Sequence, residues 1–187
     1  MDDFITSEVT DISPEFVIDR LITLNKLLGS GKYIVVTNLM GILRYLPNTK
    51  LYKNKIIDIN KDMDIDRDDF INKLFDLGYE KKPVVSRTGE MAIRGYVIDI
   101  FPIEFDNPIR IEFWGDTIDS IKYFDLDSQI SSDSINTISI YPFTEFLLDN
   151  KLDVDSKMCK QKYLPHYSRD IQGIWNYLYN CTLIYYD

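Results

Sequence analysis

The feature that most constrains the fold of this 187-residue chain is a series of short apolar stretches between Val84 and Phe143. These stretches are rich in valine, isoleucine and phenylalanine and are separated by short turn segments, which favours strands. The pair Gly115 and Asp116 predicts a tight turn between two of them. We therefore expect a mostly antiparallel sheet. Its predicted strands are VVS (84–86), MAIRGYVIDIF (91–101), PIRIEFW (108–114), TIDSIKYFD (117–125) and INTISIYPF (135–143).

The first fifty residues have a different pattern, that of helices alternating with a β-branched run. A serine-proline pair beginning at Ser13 marks a helix start, and leucines then recur at helical spacing as far as Gly29. The run KYIVVTN (32–38) is typical of a buried parallel strand. Asn38 is expected to cap a short helix over LMGILRYL (39–46). Together these segments predict an α/β layer.

Helix and strand signals continue through the middle and the end of the chain. KIIDI (55–59) predicts a strand, and DDFINKLFDLG (68–78) predicts a helix that ends at Gly78. Near the carboxyl terminus, residues 168–179 have apolar residues at helical spacing, and CTLIYYD (181–187) resembles a strand. The α/β pattern of the amino-terminal part therefore returns at the end of the chain.

These observations predict an α/β fold in which the two ends form a split α/β layer. An α+β domain with a mostly antiparallel sheet is inserted between them. The predicted boundaries are 1–51 for the first part of the layer, 52–141 for the inserted domain and 142–187 for the returning segment.

Charge and cysteine content restrict the function. The net charge is -9 and the isoelectric point is near 4.6, which argues against nonspecific binding of nucleic acid. Cys159 and Cys181 are too few for a disulfide framework, and we expect reduced thiols in a cytoplasmic protein. No signal peptide and no apolar run long enough to span a membrane is recognisable.

No motif in the sequence predicts catalysis, a cofactor or a metal. LLGSGK (27–32) lacks the first glycine of a phosphate-binding loop and precedes a predicted strand. In DMDIDRDD (62–69) an arginine stands where a calcium loop needs glycine. His166 has no nucleophile motif near it. We therefore expect a chain without enzymatic activity of its own.

The stretch PIRIEFW (108–114) carries the candidate binding residues. Its alternation places three apolar side chains on a core face and Arg110, Glu112 and Trp114 on the opposite face. Tryptophan and arginine are the residue types most enriched at binding hot spots. The alternative that needs no partner is a cation-π contact between Arg110 and Trp114. The predicted core residues are Ile109, Ile111 and Phe113.

Arg94 interrupts the apolar stretch GEMAIRGYVIDIFP (89–102). An arginine among core residues either pairs within the domain or faces a partner. Gly95 would allow a β-bulge, which would explain why the alternation slips at this point. If the strands that contain Arg94 and Arg110 pair, the two arginines lie near each other.

Two ordered motifs carry a resemblance to a known family. GEMAIRGYVIDIFP, followed by PIRIEFWGDTIDSIKYFD (108–125), closely resembles the UvrB-homology region of bacterial transcription-repair coupling factor, Mfd. The likeness extends over most of the chain, and its α/β layer is then part of a helicase-like domain. The excision-repair protein UvrB shares this architecture and is the close alternative.

The resemblance implies that the inserted domain binds UvrA and recruits nucleotide excision repair to stalled RNA polymerase. The UvrA-contacting positions of the family fall on Arg94, Arg110 and Trp114. Full-length relatives also bind RNA polymerase, double-stranded DNA and ATP, through domains that we do not find in this sequence. A rival expectation is a remnant of a DNA translocase that binds nothing. If UvrA binding holds, Arg110→Ala is expected to weaken it by more than about 1 kcal/mol without affecting the fold.

Overall fold

The computed structural model describes residues 14–148, 163–179 and 181–182. Residues 54–144 form one compact unit, and the described parts of 1–53 and 145–187 form another. The described helices are α1 (Pro14–Leu28), α2 (Leu39–Ile42), α3 (Thr49–Lys55), α4 (Arg67–Asp76) and α5 (Leu164–Tyr167). The described strands are β1 (Leu46–Pro47), β2 (Ile57–Asn60), β3 (Glu80–Lys81), β4 (Glu90–Arg94), β5 (Val97–Ile100), β6 (Ile109–Trp114), β7 (Thr117–Phe124), β8 (Ser131–Ser134), β9 (Thr137–Ile140) and β10 (Ile171–Gln172).

A six-stranded sheet in the order β3-β4-β5-β6-β7-β8 dominates the unit of residues 54–144. Its strand pairs are antiparallel except for β3 and β4, which run parallel. Strands β2 and β9 pair separately. Gly115, with a φ of 63°, lies in the tight turn that joins β6 to β7. The predicted mostly antiparallel sheet is confirmed.

Helix α4 and the sheet share one hydrophobic core. The Asp66 side chain accepts a hydrogen bond from the Asp69 backbone N–H at 2.7 Å, which caps the helix. Phe70 and Leu74 on α4 and Leu77 after it are fully buried in the same cluster as the isoleucines of β5 and β6. The spacing of these three residues gives the helix one apolar face. The helix predicted here is confirmed.

The stretch 91–101 is a hairpin and not one strand with a bulge. Arg94 pairs with Val97, so β4 ends at Arg94 and β5 begins three residues later. Gly95, with a φ of 57°, takes the first position of a two-residue turn where positive φ favours glycine. The apolar alternation slips at Arg94 because the chain reverses direction there.

Two other details of the sheet differ from the prediction. Residues 84–86 form no strand, and β3 lies just before them. Val85 is buried in a small cluster with Ala92, Phe101 and Phe124, so its burial comes from packing and not from strand pairing. Strand β8 was not predicted, because SSDS has no apolar alternation and is held by its backbone pairing with β7.

The predicted parallel strand at residues 32–38 is wrong. These residues are irregular, and Ile34 and Val36 are more than nine-tenths exposed. A segment with high strand propensity forms a strand only when a neighbouring strand supplies backbone hydrogen-bond partners. No described strand pairs with this segment. Asn38 does cap a helix, with its side chain accepting from the Gly41 N–H at 2.9 Å. That helix, α2, is shorter than predicted.

The predicted helix at residues 168–179 is also wrong. Helix α5 ends before it, β10 pairs with β1, and Ile174–Asn176 forms one turn of 3-10 helix. Gly173, in an extended conformation, separates the last two elements. Glycine disfavours a helix interior by about 0.5–1 kcal/mol, and strand pairing of Gln172 with Leu46 takes precedence over the helical periodicity.

Several expectations lie outside the described residues or remain untested. Ser13, Cys159 and the greater part of the predicted terminal strand lie outside the described ranges. The boundaries 1–51, 52–141 and 142–187, as parts of a split helicase-like layer and its insertion, stay predictions. None of the described helices combines the length and the apolar character needed to cross a membrane.

Candidate binding surface

Charged residues from four adjacent strands meet on one side of the six-stranded sheet. On this side Asp99 of β5 pairs in register with Arg110 of β6, and Arg110 pairs with Lys122 of β7. We call this side the polar face. It comprises Arg94, Asp99, Arg110, Glu112, Trp114 and Lys122.

The alternation predicted for β6 is confirmed. Ile109, Ile111 and Phe113 are buried in the core on the side of α4. Arg110 and Glu112 are half-buried, and the strand ends with Trp114, which is 84% exposed. The strand thus has a core side and a side available for other contacts.

Asp99 is the centre of the polar face. Its side chain is only 1% exposed, and both carboxylate oxygens accept hydrogen bonds from arginines. Arg110 donates from Nε to Oδ1 at 2.7 Å and from Nη2 to Oδ2 at 3.0 Å, and Arg94 Nη2 donates to the same Oδ2. The hydrogen bonds that Arg110 donates to Asp99 raise the pKa of the Arg110 guanidinium above its ordinary value. This is a bidentate, charge-assisted pair in a nearly dry environment.

The remaining contacts of Arg110 lie within the domain. Its Nη1 donates to the Gln129 carbonyl at 3.1 Å and to the Ser131 hydroxyl at 3.3 Å. Its guanidinium carbon lies 4.7 Å from the centroid of the Phe124 ring, a cation-π distance. The alternative of a cation-π contact between Arg110 and Trp114 is therefore wrong, because the Arg110 guanidinium lies over Phe124.

Arg94 reaches the same carboxylate by a different route. The strands of Arg94 and Arg110 do not pair, since β5 lies between β4 and β6. The two arginines nevertheless meet at Asp99, which belongs to the intervening strand. The Arg94 side chain is 46% exposed, three times the 15% of Arg110.

Glu112 is satisfied by its own neighbours on β7. It accepts hydrogen bonds from Lys122 Nζ at 2.7 Å and from Ser120 Oγ at 2.5 Å. The Lys122 hydrogen bond, helped by Ser120, lowers the pKa of the Glu112 carboxyl. The charges of Glu112 and Lys122 therefore cancel each other. Asp99 carries one negative charge and balances the two positive charges of Arg94 and Arg110 only in part.

Family comparison identifies the central part of the chain. Residues 57–146 match the family model of the UvrB interaction domain. This segment is a UvrB interaction domain. The chain is 35% identical to the transcription-repair-coupling factor of Staphylococcus aureus (strain bovine RF122 / ET3-1) over 150 residues. The aligned residues cover 80% of the chain and 13% of that protein.

A second relative gives the same result. The transcription-repair-coupling factor of Staphylococcus haemolyticus (strain JCSC1435) is 36% identical over 146 residues, which is 78% of the chain and 12% of that protein. The resemblance to transcription-repair coupling factors is confirmed. The chain spans about an eighth of the length of these relatives.

The polar face belongs entirely to the UvrB interaction domain, and its central residue was not among the predicted site residues. Asp99 stands between Ile98 and Ile100 in an apolar strand. An ionised carboxylate in such a place requires a cationic partner, so the sequence did contain the signal. Which arginines pair with it depends on strand order, which the sequence did not reveal.

Proposed function

We propose that the UvrB interaction domain of this chain is a noncatalytic docking module that binds UvrA. In a transcription-repair coupling factor, such a module recruits nucleotide excision repair to stalled RNA polymerase. The described parts of 1–53 and 145–187 would belong to a helicase-like α/β layer. Polymerase, DNA and ATP would be bound by other parts of a full-length protein.

The exposed tryptophan is the observation that carries the proposal. Trp114 is 84% exposed at the end of β6, on the same face as the half-exposed Arg94. A large aromatic surface left in water gains free energy when a partner buries it, and tryptophan is the residue type most typical of hot spots. Arg94 adds a planar donor that matches a carboxylate.

Charge supports a local and not a general mode of binding. The chain has a net charge of -9, so its average field repels an acidic partner. On the polar face two arginines surround one buried carboxylate, which gives this small area a net positive charge. A partner with a carboxylate opposite this area would be oriented by it.

The proposal is tested by calorimetric titration of the full chain with UvrA from the same organism. Trp114→Ala and Arg94→Ala are each expected to weaken binding by at least about 1 kcal/mol, as hot-spot residues do. Tyr179→Ala is the matched control, because Tyr179 is 91% exposed and lies outside the domain. Circular dichroism checks that each variant is folded.

Absence of binding by the folded wild-type chain would refute the proposal and favour a non-binding remnant. Equal losses for Trp114→Ala and Tyr179→Ala would place the contact elsewhere. The alternative that the chain is the equivalent region of UvrB predicts the same titration. The two alternatives differ in whether the full-length protein also binds RNA polymerase, which is expected only of a coupling factor.

A further inference from the structure

We propose that Tyr96 is a further contact residue for UvrA, and that it extends the docking surface from the polar face to the end of the six-stranded sheet. This inference rests on the proposed UvrA binding. It adds an apolar contact to that binding, because an aromatic ring is best covered by apolar atoms. The group that Tyr96 meets on the partner is therefore expected to be an apolar side chain.

Tyr96 and Trp114 lie next to each other at one end of the sheet. Tyr96 belongs to the turn that joins β4 to β5, and Trp114 ends β6 just before the turn that leads to β7. The Phe113 N–H donates to the Tyr96 carbonyl at 2.9 Å, so the backbone of Tyr96 is bonded to the residue directly before Trp114. The two aromatic residues are on neighbouring segments and one residue apart in register.

Both aromatic side chains are largely in water. Tyr96 is 66% exposed and Trp114 is 84% exposed. Within the described ranges, neither side chain takes part in a hydrogen bond, an ion pair or a ring contact. Single apolar residues are normal on a protein surface, whereas adjacent ones form a patch that a partner can bury. Because Trp114 also belongs to the polar face, this patch is continuous with the docking surface proposed above.

The segment that leads into α4 holds both of the turns that carry these residues. The Ile65 N–H donates to the Asp116 carbonyl, in the turn between β6 and β7, at 2.8 Å. Arg67 Nη2 donates to the Gly95 carbonyl, in the turn between β4 and β5. One short stretch of chain thus connects the two turns to the start of the helix. A surface held in this way loses less conformational freedom on binding than a mobile loop would.

The apolar character of the contact separates it from the charges beside it. Burial of apolar surface depends little on sodium chloride, whereas an interaction between exposed charges weakens as salt screens it. Arg94 precedes Tyr96 by only two residues, so a substitution of Tyr96 could alter binding through that charge. Ionic strength therefore distinguishes a contact made by the ring from an effect on Arg94.

The test is calorimetric titration of the full chain with UvrA, comparing the wild type with Tyr96→Ser and Tyr96→Phe. We expect Tyr96→Ser to weaken binding about fivefold or more, as loss of a hot-spot ring does. Tyr96→Phe should weaken it less, because the ring is retained. Tyr179→Ser is the matched control, since Tyr179 is 91% exposed and lies outside the domain, and its affinity should equal that of the wild type.

The same titrations at about 0.05 M and about 0.3 M sodium chloride show whether Tyr96 acts by itself. The factor by which Tyr96→Ser weakens binding should be the same at both concentrations. For Arg94→Ala the corresponding factor should shrink at the higher concentration. A loss for Tyr96→Ser that disappears at the higher concentration would mean that the substitution acts through Arg94, and would overturn the inference.

The outcomes separate the two proposals. No binding by the folded wild-type chain refutes UvrA docking, and the inference fails with it. Wild-type binding that Trp114→Ala weakens and Tyr96→Ser leaves unchanged refutes the inference alone. Tighter binding by Tyr96→Ser would also overturn it, because the ring would then obstruct the partner. Circular dichroism confirms that each variant is folded, as expected for changes at exposed side chains.

Discussion

Replacement of Arg110 by alanine is expected to destabilise the UvrB interaction domain itself. The change removes two hydrogen bonds to the buried carboxylate of Asp99, the bonds to Gln129 and Ser131, and the packing on Phe124. Breaking a buried ion pair on one side costs about 3–5 kcal/mol. Arg94 stays bonded to Asp99, so we expect about 3 kcal/mol, at the lower end of that range.

This magnitude is a large fraction of the stability of a domain, which is about 5–15 kcal/mol. It replaces the expectation from sequence that Arg110→Ala leaves the fold unaffected. Loss of UvrA binding in this variant would then combine unfolding with loss of contact. For this reason stability has to be measured before affinity.

Lys122→Ala is the matched control, because Lys122 lies directly across from Arg110 on β7. It forms an ion pair with Glu112 in which both side chains are about one-third exposed. Such a pair contributes about 0–1 kcal/mol. Urea unfolding of the full chain, followed by hydrogen exchange of the β5 and β6 amides, gives the free energy of unfolding for both variants. Losses equal within about 0.5 kcal/mol would refute the argument that burial of Asp99 decides the cost.

Two further predictions concern the same domain. Gly89→Ala should lower the free energy of unfolding by about 2 kcal/mol more than Gly95→Ala. Both glycines have positive φ, but a Cβ at Gly89 would lie 2.2 Å from the Phe143 ring, whereas a Cβ at Gly95 would meet no atom within 4 Å. Urea midpoints compare the two, and equal losses would show that Phe143 moves aside freely. Glu112→Gln should make the free energy of unfolding fall less steeply as the pH is lowered. The pKa of Glu112 is lowered in the folded domain, so the ionised carboxylate stabilises the fold above the ordinary pKa of 4.5. That stabilisation is lost as the pH falls through the lower pKa of the folded state. Urea unfolding across about pH 3 to 6 tests this, and an unchanged acid slope would count against the Lys122 contact.

Three signals that act between near neighbours in sequence gave correct predictions. The alternation of β6 predicted its buried and exposed sides, because successive side chains of any strand point in opposite directions. The spacing of Phe70, Leu74 and Leu77 predicted α4 for the corresponding reason in a helix. Gly115 predicted its turn because positive φ is a property of one residue.

The tertiary structure decided the features that need a distant partner. Residues 32–38 have the composition of a strand but no described strand beside them, and Gln172 pairs with Leu46, which excludes the helix expected there. The turn at Gly95 inserts β5 between the strands of Arg94 and Arg110, and so brings both arginines to Asp99. The sequence determined that Asp99 needed a cation and that Arg94 and Arg110 needed anions. Strand order alone determined which of them meet, because the acceptors of Arg110 lie 11 to 21 residues away along the chain.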